Sequence, residues 1–415
     1  MVMRIIAKKI RIMCLVGTLA MLALFAGCNK GSGENDNEQT ESTQAPTEER
    51  KQQPVTPMPT VEPELDYSDR DASELSLKDA YSDYFPIGVA VNSWQLEDKA
   101  TLDVITKDFS TFTTENEMKP DYILDHDASI KAKDGMPEIA TEKLDEIMTM
   151  AEDAGLKMRG HTLIWHSQTP DWLFHKDYDT SKKRVDRDTM LKRMEAYIKK
   201  VLTYCKEEHP GVVIAWDVVN EAISDNPGGG LRTDSPWYEV IGDDYIEYAF
   251  TYAREYAEEG TKLFINDYGL NGKDKRETMY DIASGLFEKG ILDGIGMQSH
   301  HDMKLAVDDV ETTLFLFSQI KGINIQITEL DIHNNDNSDA AFAEQAQLYG
   351  DLFKLFLYMD KNGYVDITGV TFWGLNDDTT WLTGFRKETS YPLLFDKDNK
   401  AKPCYFAIYD ALKES

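Results

Sequence analysis

Short apolar segments and longer amphipathic segments alternate along residues 85–375 of this chain. The apolar segments are rich in Val, Ile, Phe and Trp, and several are almost continuously hydrophobic. Such segments are typical of strands in a parallel sheet that is buried on both faces. We therefore predict eight strands, in the segments FPIGVAVN, TFTTENEMK, KMRGHTLIW, VVIAWDVVNE, KLFINDY, GIGMQSH, NIQITELDI and ITGVTFWGL.

The segments between these strands have the periodicity of helices. TEKLDEIMTMAEDAG and FAEQAQLYGDLFKLFLYMDKNG repeat apolar positions every three or four residues, which is the spacing of one helix face. Gly155 and Gly363 stand where helix ends are expected. Eight strands alternating with helices over about 350 residues indicate the α/β class and a closed (β/α)8 TIM barrel. An open doubly wound sheet is the alternative, but no GxGxxG motif follows the first strand.

The N-terminal segment has the pattern of an export signal. Residues 1–13 carry Arg and Lys without any acidic residue, and the apolar run CLVGTLAMLALFAG follows them. This run is short for a membrane span, so a single-pass anchor is the less favoured alternative. Its end, LFAGC, resembles a bacterial lipobox, which implies cleavage before Cys28 and lipid attachment to the Cys28 thiol. A lipoprotein with several acyl chains would be anchored stably to the bacterial cell membrane.

The composition changes twice along the chain and predicts three parts. Residues 1–27 are the predicted lipoprotein signal. Residues 28–66 are rich in Pro, Thr, Glu and Gln and contain few large apolar residues, so we predict a disordered acidic tether. Residues 67–415 are predicted to form the barrel domain, exported and either anchored to the membrane or extracellular.

Charge and cysteine content exclude several classes of protein. With 44 basic and 74 acidic residues the net charge is −30, which argues against binding to nucleic acid. The four cysteines form no CxxC motif, so neither a zinc module nor a disulfide framework is indicated. We expect Cys205 and Cys404 to be separate free thiols, no cofactor or metal, and a monomer.

Polar and aromatic side chains recur where the predicted strands end. Active sites of (β/α)8 barrels lie at the C-terminal ends of the strands. One such residue could simply cap a helix or face a loop, but the pattern repeats on seven consecutive strands. The residues are Glu115, Asn116, Glu117 and Lys119, His161, Trp165 and His166, Asn220 and Glu221, Asn266 and Asp267, Gln298, His300 and His301, Glu329 and Asp331, and Trp373 with Trp381.

Two of these carboxylates suit the hydrolysis of a glycosidic bond. Glu221 and Glu329 follow apolar strand sequence and should face each other across the barrel mouth. Glycoside hydrolysis uses two carboxyl groups, one with a raised pKa as acid and one ionised. His300 could hydrogen-bond Glu329, and Asp331 could orient His300. The indoles of Trp373 and Trp381 could stack on sugar faces, although each could also be a core aromatic.

The segments TTENEMKP, RGHTLIWHSQTPDWL, AWDVVNEAI, LFINDY, GIGMQSH, ITELDI and WGLNDDTTWL resemble, in this order, the endo-β-1,4-xylanases of glycoside hydrolase family 10. The resemblance implies retaining hydrolysis of xylan, in which Glu221 is the acid and base and Glu329 is the nucleophile. It also implies that Asn220 and His161 bind the cleaved sugar and that Gln298 and His300 support Glu329. By the same resemblance Glu115, Asn116 and Lys119 would bind the next sugar, and Trp165, Trp373 and Trp381 would line the cleft. A retaining enzyme needs its two carboxyl groups only ~5–5.5 Å apart.

Two other functions stay open from the sequence alone. A sugar-binding lipoprotein would fit the lipobox and tether, although binding needs no opposed carboxylates. A β-1,4-glucanase on a related barrel would share the catalytic pair. Crowding by Trp373 and Trp381 against the hydroxymethyl group of glucose is what we expect to exclude glucan.

Overall fold

The computed structural model describes residue 67 and residues 70–414. The predicted signal, the predicted tether and Cys28 therefore lie outside the described residues. No helix in the described part of the chain combines the length and the apolar character that a membrane crossing requires.

Eight parallel strands form the central sheet, and each pairs with the next along the chain. The last strand also pairs with the first, with Ile87 opposite Val370 and Val89 opposite Phe372, so the sheet closes on itself. The predicted (β/α)8 barrel is confirmed, and each predicted segment contains one strand. The strands are β1 Ile87–Val91, β2 Thr111–Thr114, β3 Lys157–Trp165, β4 Val213–Asn220, β5 Lys262–Asp267, β6 Gly294–Met297, β7 Asn324–His333 and β8 Asp366–Phe372.

Helices and short 3-10 segments precede, connect and follow the strands. The α-helices are Leu77–Ala80, Ser93–Glu97, Lys99–Asp108, Pro120–Ile123, His126–Lys131, Thr141–Ala154, Arg187–Glu208, Pro236–Ile241, Tyr245–Tyr256, Lys273–Glu288, Val307–Phe317, Asp339–Lys361, Trp381–Arg386 and Pro403–Glu414. The 3-10 helices are Asp171–Phe174 and Lys176–Tyr178. A two-stranded antiparallel pair, Leu124–Asp125 with Glu138–Ile139, lies in the connection between β2 and β3.

Capping residues mark the ends of the long helices. Asp186 accepts a hydrogen bond from the amide of Thr189 (2.8 Å) and so caps the helix Arg187–Glu208. Its apolar side chains recur every three or four residues and are buried against the barrel. Gly155 ends the helix Thr141–Ala154 with φ 66°, a backbone conformation that glycine adopts without a Cβ clash. Gly363 lies one residue beyond the C-cap Asn362, close to its predicted place.

The interior of the barrel contains charged groups as well as hydrophobic ones. Arg159 on β3 and Asp217 on β4 form a buried ion pair with Nη2 and Oδ1 2.7 Å apart. The Arg159 Nε donates to Gln326 on β7, across the barrel. Burial alone would raise the pKa of Asp217, but the charge of Arg159 and the hydrogen bond from His161 lower it below its usual range. Polar side chains of β3, β4 and β7 are therefore paired with one another inside the barrel.

One short extra strand arranges the site. His300–Asp302 pairs in parallel with the end of β7, and His300 stands opposite Asp331 in this register. The backbone therefore places the two side chains beside each other. Cys205 and Cys404 are both buried free thiols, as predicted.

Candidate active site

Glu329 is a buried carboxylate held by two donors. It lies within β7 and its residue is 4% exposed. Asn266 Nδ2 donates to its Oε1 (2.7 Å), and His300 Nε2 lies 3.1 Å from its Oε2. Burial on its own would raise the pKa of Glu329, but the hydrogen bond from His300 and the nearby charge of the imidazoles lower it below its usual range. Glu329 is therefore ionised at neutral pH.

His300 lies between two carboxylates. Its Nδ1 is 3.0 Å from Asp331 Oδ2, and its Nε2 faces Glu329. Burial would lower the pKa of His300, but the charges of Asp331 and Glu329 raise it to about 10. Asp331 is fully buried, and its Oδ2 also accepts a hydrogen bond from Trp381 Nε1 (2.9 Å). The imidazole thus stays protonated at neutral pH and keeps a positive charge against Glu329.

Glu221 has a different setting, at the point where β4 ends. Its backbone is in the left-handed region, with φ 56°. Trp165 Nε1 donates to its Oε2 (2.8 Å), and Gln298 Nε2 donates to its Oε1 (3.1 Å). The residue is half-buried. Both donors are neutral, so neither forms an ion pair with Glu221.

Three amide side chains connect the two carboxylates. Asn220 Oδ1 accepts one hydrogen bond from Asn266 Nδ2 (2.9 Å) and another from Gln298 Nε2 (3.2 Å). Asn266 also binds Glu329, and Gln298 also binds Glu221. A continuous chain of hydrogen bonds therefore fixes the position of one carboxylate relative to the other.

The residues predicted to bind the next sugar lie beside Trp165. Lys119 is 7% exposed, and its ammonium bonds Gln168 Oε1 (2.9 Å) and Asn116 Oδ1 (3.3 Å). Its Nζ also lies 5.0 Å from the centre of the Trp165 ring. Among the described residues it forms no ion pair with a carboxylate, so it is not a surface salt bridge with Glu115. Burial raises the pKa of Glu115 to about 7, against the opposing effect of a hydrogen bond from Asn92.

His161 and the two C-terminal indoles complete one wall. His161 is 2% exposed, and its Nδ1 lies 2.9 Å from Asp217 Oδ2. The Trp373 ring stands edge-on to both His161 (5.3 Å) and His300 (6.3 Å). The Trp381 ring lies 5.0 Å from His300. All the residues predicted for the site, Cys28 apart, therefore surround the same end of the barrel.

Sequence reasoning missed several residues of this arrangement. Asn266 was recognised at a strand end, but no role was assigned to it. Asp217 and Arg159 interrupt apolar strands, which was a usable signal for a buried ion pair inside the barrel. Gln168 follows β3 in a polar loop and gave no signal. Within the described residues, no group of three or more His, Cys, Asp or Glu side chains is arranged to hold a metal ion.

The sequence matches the profile of glycosyl hydrolase family 10 over residues 76–411. The chain belongs to glycosyl hydrolase family 10. This family 10 domain covers the barrel and both carboxylates, and it lies within the predicted domain 67–415.

Similar proteins of known sequence or structure agree with this membership. "Endo-1,4-beta-xylanase B" of Butyrivibrio fibrisolvens is 40% identical over 342 residues, covering 81% of this chain and 53% of that protein. "Exoglucanase XynX" of Acetivibrio thermocellus is 41% identical over 343 residues, covering 81% of this chain and 29% of that protein. The chain thus spans about half or less of the length of these curated relatives. A crystal structure of TsXylA, an intracellular xylanase from Thermoanaerobacterium saccharolyticum, in which a mutant is bound to xylotriose, aligns with TM-score 0.72 and 39% identity. That alignment covers 81% of this chain and 99% of the other.

Proposed function

We propose that this chain is an endo-β-1,4-xylanase that cleaves xylan with retention at the anomeric carbon. The observation that carries the proposal is the pair Glu221 and Glu329, held at one barrel mouth by Asn220, Asn266 and Gln298. Two carboxylates in fixed relation are what glycoside hydrolysis requires. The names of the family 10 relatives and the xylotriose bound to TsXylA support xylan as the substrate.

The different settings of the two carboxylates suggest their roles. Glu329 attacks the anomeric carbon, because His300 keeps it ionised. The bond to the leaving oxygen breaks as the carboxyl of Glu221 gives that oxygen its proton. Water then attacks the glycosyl-enzyme, Glu221 takes a proton from this water, and Glu329 is released as a carboxylate.

The remaining predicted residues would bind the sugars. Glu115, Asn116 and Lys119 offer two acceptors and an ammonium donor to the hydroxyls of the sugar next to the cleaved one. Trp165, Trp373 and Trp381 present ring surface to the pyranose faces, which carry C–H groups. Asn220 would hold the hydroxyl next to the anomeric carbon, beside His161.

The test is reducing-sugar release by the full chain from xylan and from carboxymethyl cellulose, with Glu329→Gln as the partner variant. We expect release from xylan, lost in the variant by at least ~10⁴-fold, because the covalent step needs a carboxylate. NMR of the first product should show the β-anomer. No release by a folded chain would favour the alternative, a sugar-binding lipoprotein, and an α-anomer first would contradict the retaining mechanism.

A β-1,4-glucanase is the second candidate, because the Acetivibrio relative is named an exoglucanase. We expect Trp381 to crowd the hydroxymethyl group of glucose. Trp381→Ala should therefore lower the ratio of the rate on xylan to the rate on cellulose. Trp381→Phe is the matched control, since it removes the hydrogen bond to Asp331 but keeps most of the ring. An unchanged ratio in Trp381→Ala would mean that this indole does not discriminate between the two sugars.

We also propose that the chain is exported, carries lipid on Cys28 and acts as a monomer. The basic N-terminal residues, the apolar run and the LFAGC sequence support the first two points. Cells that express the full chain should incorporate labelled palmitate into it, and Cys28→Ala should abolish the label. Incorporation unchanged in Cys28→Ala would contradict attachment at Cys28.

Light scattering of the purified chain would test the proposal that the chain is a monomer.

A further inference from the structure

The turn that follows β4 holds Glu221 in an unusual backbone conformation. A φ of 56° is rare for a residue with a side chain, and surrounding contacts have to offset its cost. The Glu221 amide donates to the carbonyl of Asn266 (2.8 Å), which fixes only one side of the peptide. The other side is held by a residue that lies further along the same loop.

That residue is Arg232, whose guanidinium spans the turn. Its Nε donates to the carbonyl of Glu221 (3.1 Å), and its Nη2 donates to the carbonyl of Ile223 (3.2 Å). The same Nη2 lies 2.9 Å from Asp225 Oδ2. The Arg232 side chain is only 11% exposed, so its hydrogen bonds to the two carbonyls are partly shielded from water, whereas its partner Asp225 is 53% exposed. A single rigid fork therefore binds both ends of the turn 221–223.

A second ion pair closes a ring around the turn. Asp267, fully buried at the end of β5, accepts a hydrogen bond from the amide of Ile223 (3.0 Å). Lys275 lies 2.9 Å from Asp267 Oδ1 and 3.1 Å from Asp225 Oδ1. A series of contacts therefore begins and ends at the turn 221–223. It runs from Glu221 through Arg232, Asp225 and Lys275 to Asp267, which binds Ile223.

The far end of the loop is fastened to the helix Lys273–Glu288. The amide of Gly228 donates to Asp274 Oδ2 (2.7 Å), and the amide of Gly230 donates to Thr278 Oγ1 (3.1 Å). Gly229 has φ 66°, and a Cβ there would lie 2.4 Å from Thr278 Oγ1, so only glycine fits. These contacts fix the far end of the loop on the helix, and the chain then returns so that Arg232 contacts the turn 221–223.

We infer that Arg232 is a positioning residue for Glu221. By binding the carbonyls of Glu221 and Ile223 and the carboxylate of Asp225, it keeps Glu221 in the conformation from which its carboxyl meets Trp165 and Gln298. The inference rests on the proposed function and deepens it. Arg232 acts through Glu221, so in the first step its loss should matter only where the leaving oxygen needs a proton.

The test compares two substrates whose leaving groups differ. Cleavage of xylotetraose expels a sugar oxygen, which needs a proton to leave, whereas cleavage of dinitrophenyl β-xylobioside expels dinitrophenolate, which is stable without one. In the full chain, Arg232→Ala should lower kcat/KM on xylotetraose by about 10²-fold, the size of effect known for a misplaced catalytic group. On the dinitrophenyl substrate the first-step rate should change by less than ~3-fold, since general acid catalysis adds little there. Arg232→Lys should fall between Arg232→Ala and the wild type, because it keeps the charge without the fork.

Arg187 offers a matched control. It also binds a carbonyl, that of Ile241, and pairs bidentately with Asp244 (2.8 and 2.6 Å). It lies at the start of the helix Arg187–Glu208, away from both carboxylates. Arg187→Ala should leave the ratio of the two activities at the wild-type value.

The outcomes separate the inference from the proposed function. Equal losses on both substrates in Arg232→Ala, or no loss on either, would overturn the positioning role. If circular dichroism shows that Arg232→Ala is unfolded, Asp225→Asn decides: it keeps the shape of the loop, and a selective loss on xylotetraose of about 5-fold or more supports the role. No selective loss in Asp225→Asn overturns it. A folded wild type that is inactive on both substrates would overturn the proposed function, and the inference with it.

Discussion

The two carboxylates of this barrel differ in their burial and in the charge of their hydrogen-bond donors. Glu329 lies within a strand, buried, with a protonated imidazole and an amide as donors. Glu221 lies where its strand ends, half-buried, with an indole and an amide as donors. The first setting stabilises a negative charge, whereas the second supplies two neutral donors. In the proposed mechanism, identical side chains therefore take different roles because their neighbours differ in charge.

The comparison extends to the backbone. Glu329 lies inside β7, at a point where the pairing with β8 shifts in register between Ile327 and Leu330, and its amide donates to the carbonyl of Gln298 (2.9 Å). Glu221 has left the ladder and depends on a loop, on Arg232 and on the ion pairs around it. We therefore expect the nucleophile to be robust toward distant changes and the acid to be sensitive to them.

The largest contrast should come from replacing Glu221 itself. Glu221→Gln should lower kcat/KM on xylan by about 10³-fold, because the sugar oxygen that leaves needs a proton. Cleavage of the dinitrophenyl β-xylobioside bond should stay near the wild-type rate, because dinitrophenolate leaves without one. Glu247→Gln, which breaks a surface pair with Lys289, is the control and should change neither. Equal losses on both substrates would assign Glu221 to something other than proton transfer.

The next largest effect should come from His300→Asn. It removes the positive group that lowers the pKa of Glu329, and burial then raises that pKa. Glu329 must be ionised to react, so the acidic limb of the kcat/KM profile should move to higher pH by about one unit or more. His209, which lies 3.1 Å from both Asp145 and Glu152, gives a control, and His209→Asn should leave the limb in place. A limb that does not move in His300→Asn would mean that another group keeps Glu329 ionised.

A smaller effect is expected from Trp165→Phe, which removes the indole donor to Glu221 (2.8 Å) and keeps an aromatic ring. The hydrogen bond joins a neutral donor to an ionisable carboxyl, so kcat/KM on xylan should fall by about 10-fold. The loss on the dinitrophenyl substrate should be smaller. Trp172→Phe, on a half-buried indole that stacks on His126, should have little effect on either. A larger loss on the dinitrophenyl substrate would show that Trp165 serves binding rather than the acid.

Much of the fold could be predicted from local patterns. Each apolar run became a strand of the barrel because a strand buried on both faces needs a continuous hydrophobic sequence. The residues after those runs met at one mouth because all strands of a parallel barrel point the same way. Glu221 and Glu329 could be paired on this ground although they are far apart in sequence.

Other features had no local signal. Asn220 accepts hydrogen bonds from both Asn266 and Gln298. These contacts depend on the register between strands, and no short segment of sequence encodes that register. Arg232 lies in a glycine-rich loop, where a basic residue is usually a solvated surface group. Its partners are the carbonyls of Glu221 and Ile223, the carboxylate of Asp225 and the hydroxyl of Tyr268, which follows β5. Arg159 and Asp217 each interrupt an apolar strand, which is a local signal, but only the tertiary structure shows that the two residues pair.

The sequence by itself therefore determined the barrel, and it predicted the end of the barrel and the two carboxylates on which the proposed function rests. Periodicity and burial are properties of a segment, and they survive in the sequence. The tertiary structure alone decided which groups surround each carboxylate. Those surroundings depend on His300 reaching Glu329 and on neutral donors reaching Glu221, and such distances exist only once the strands have closed into a ring.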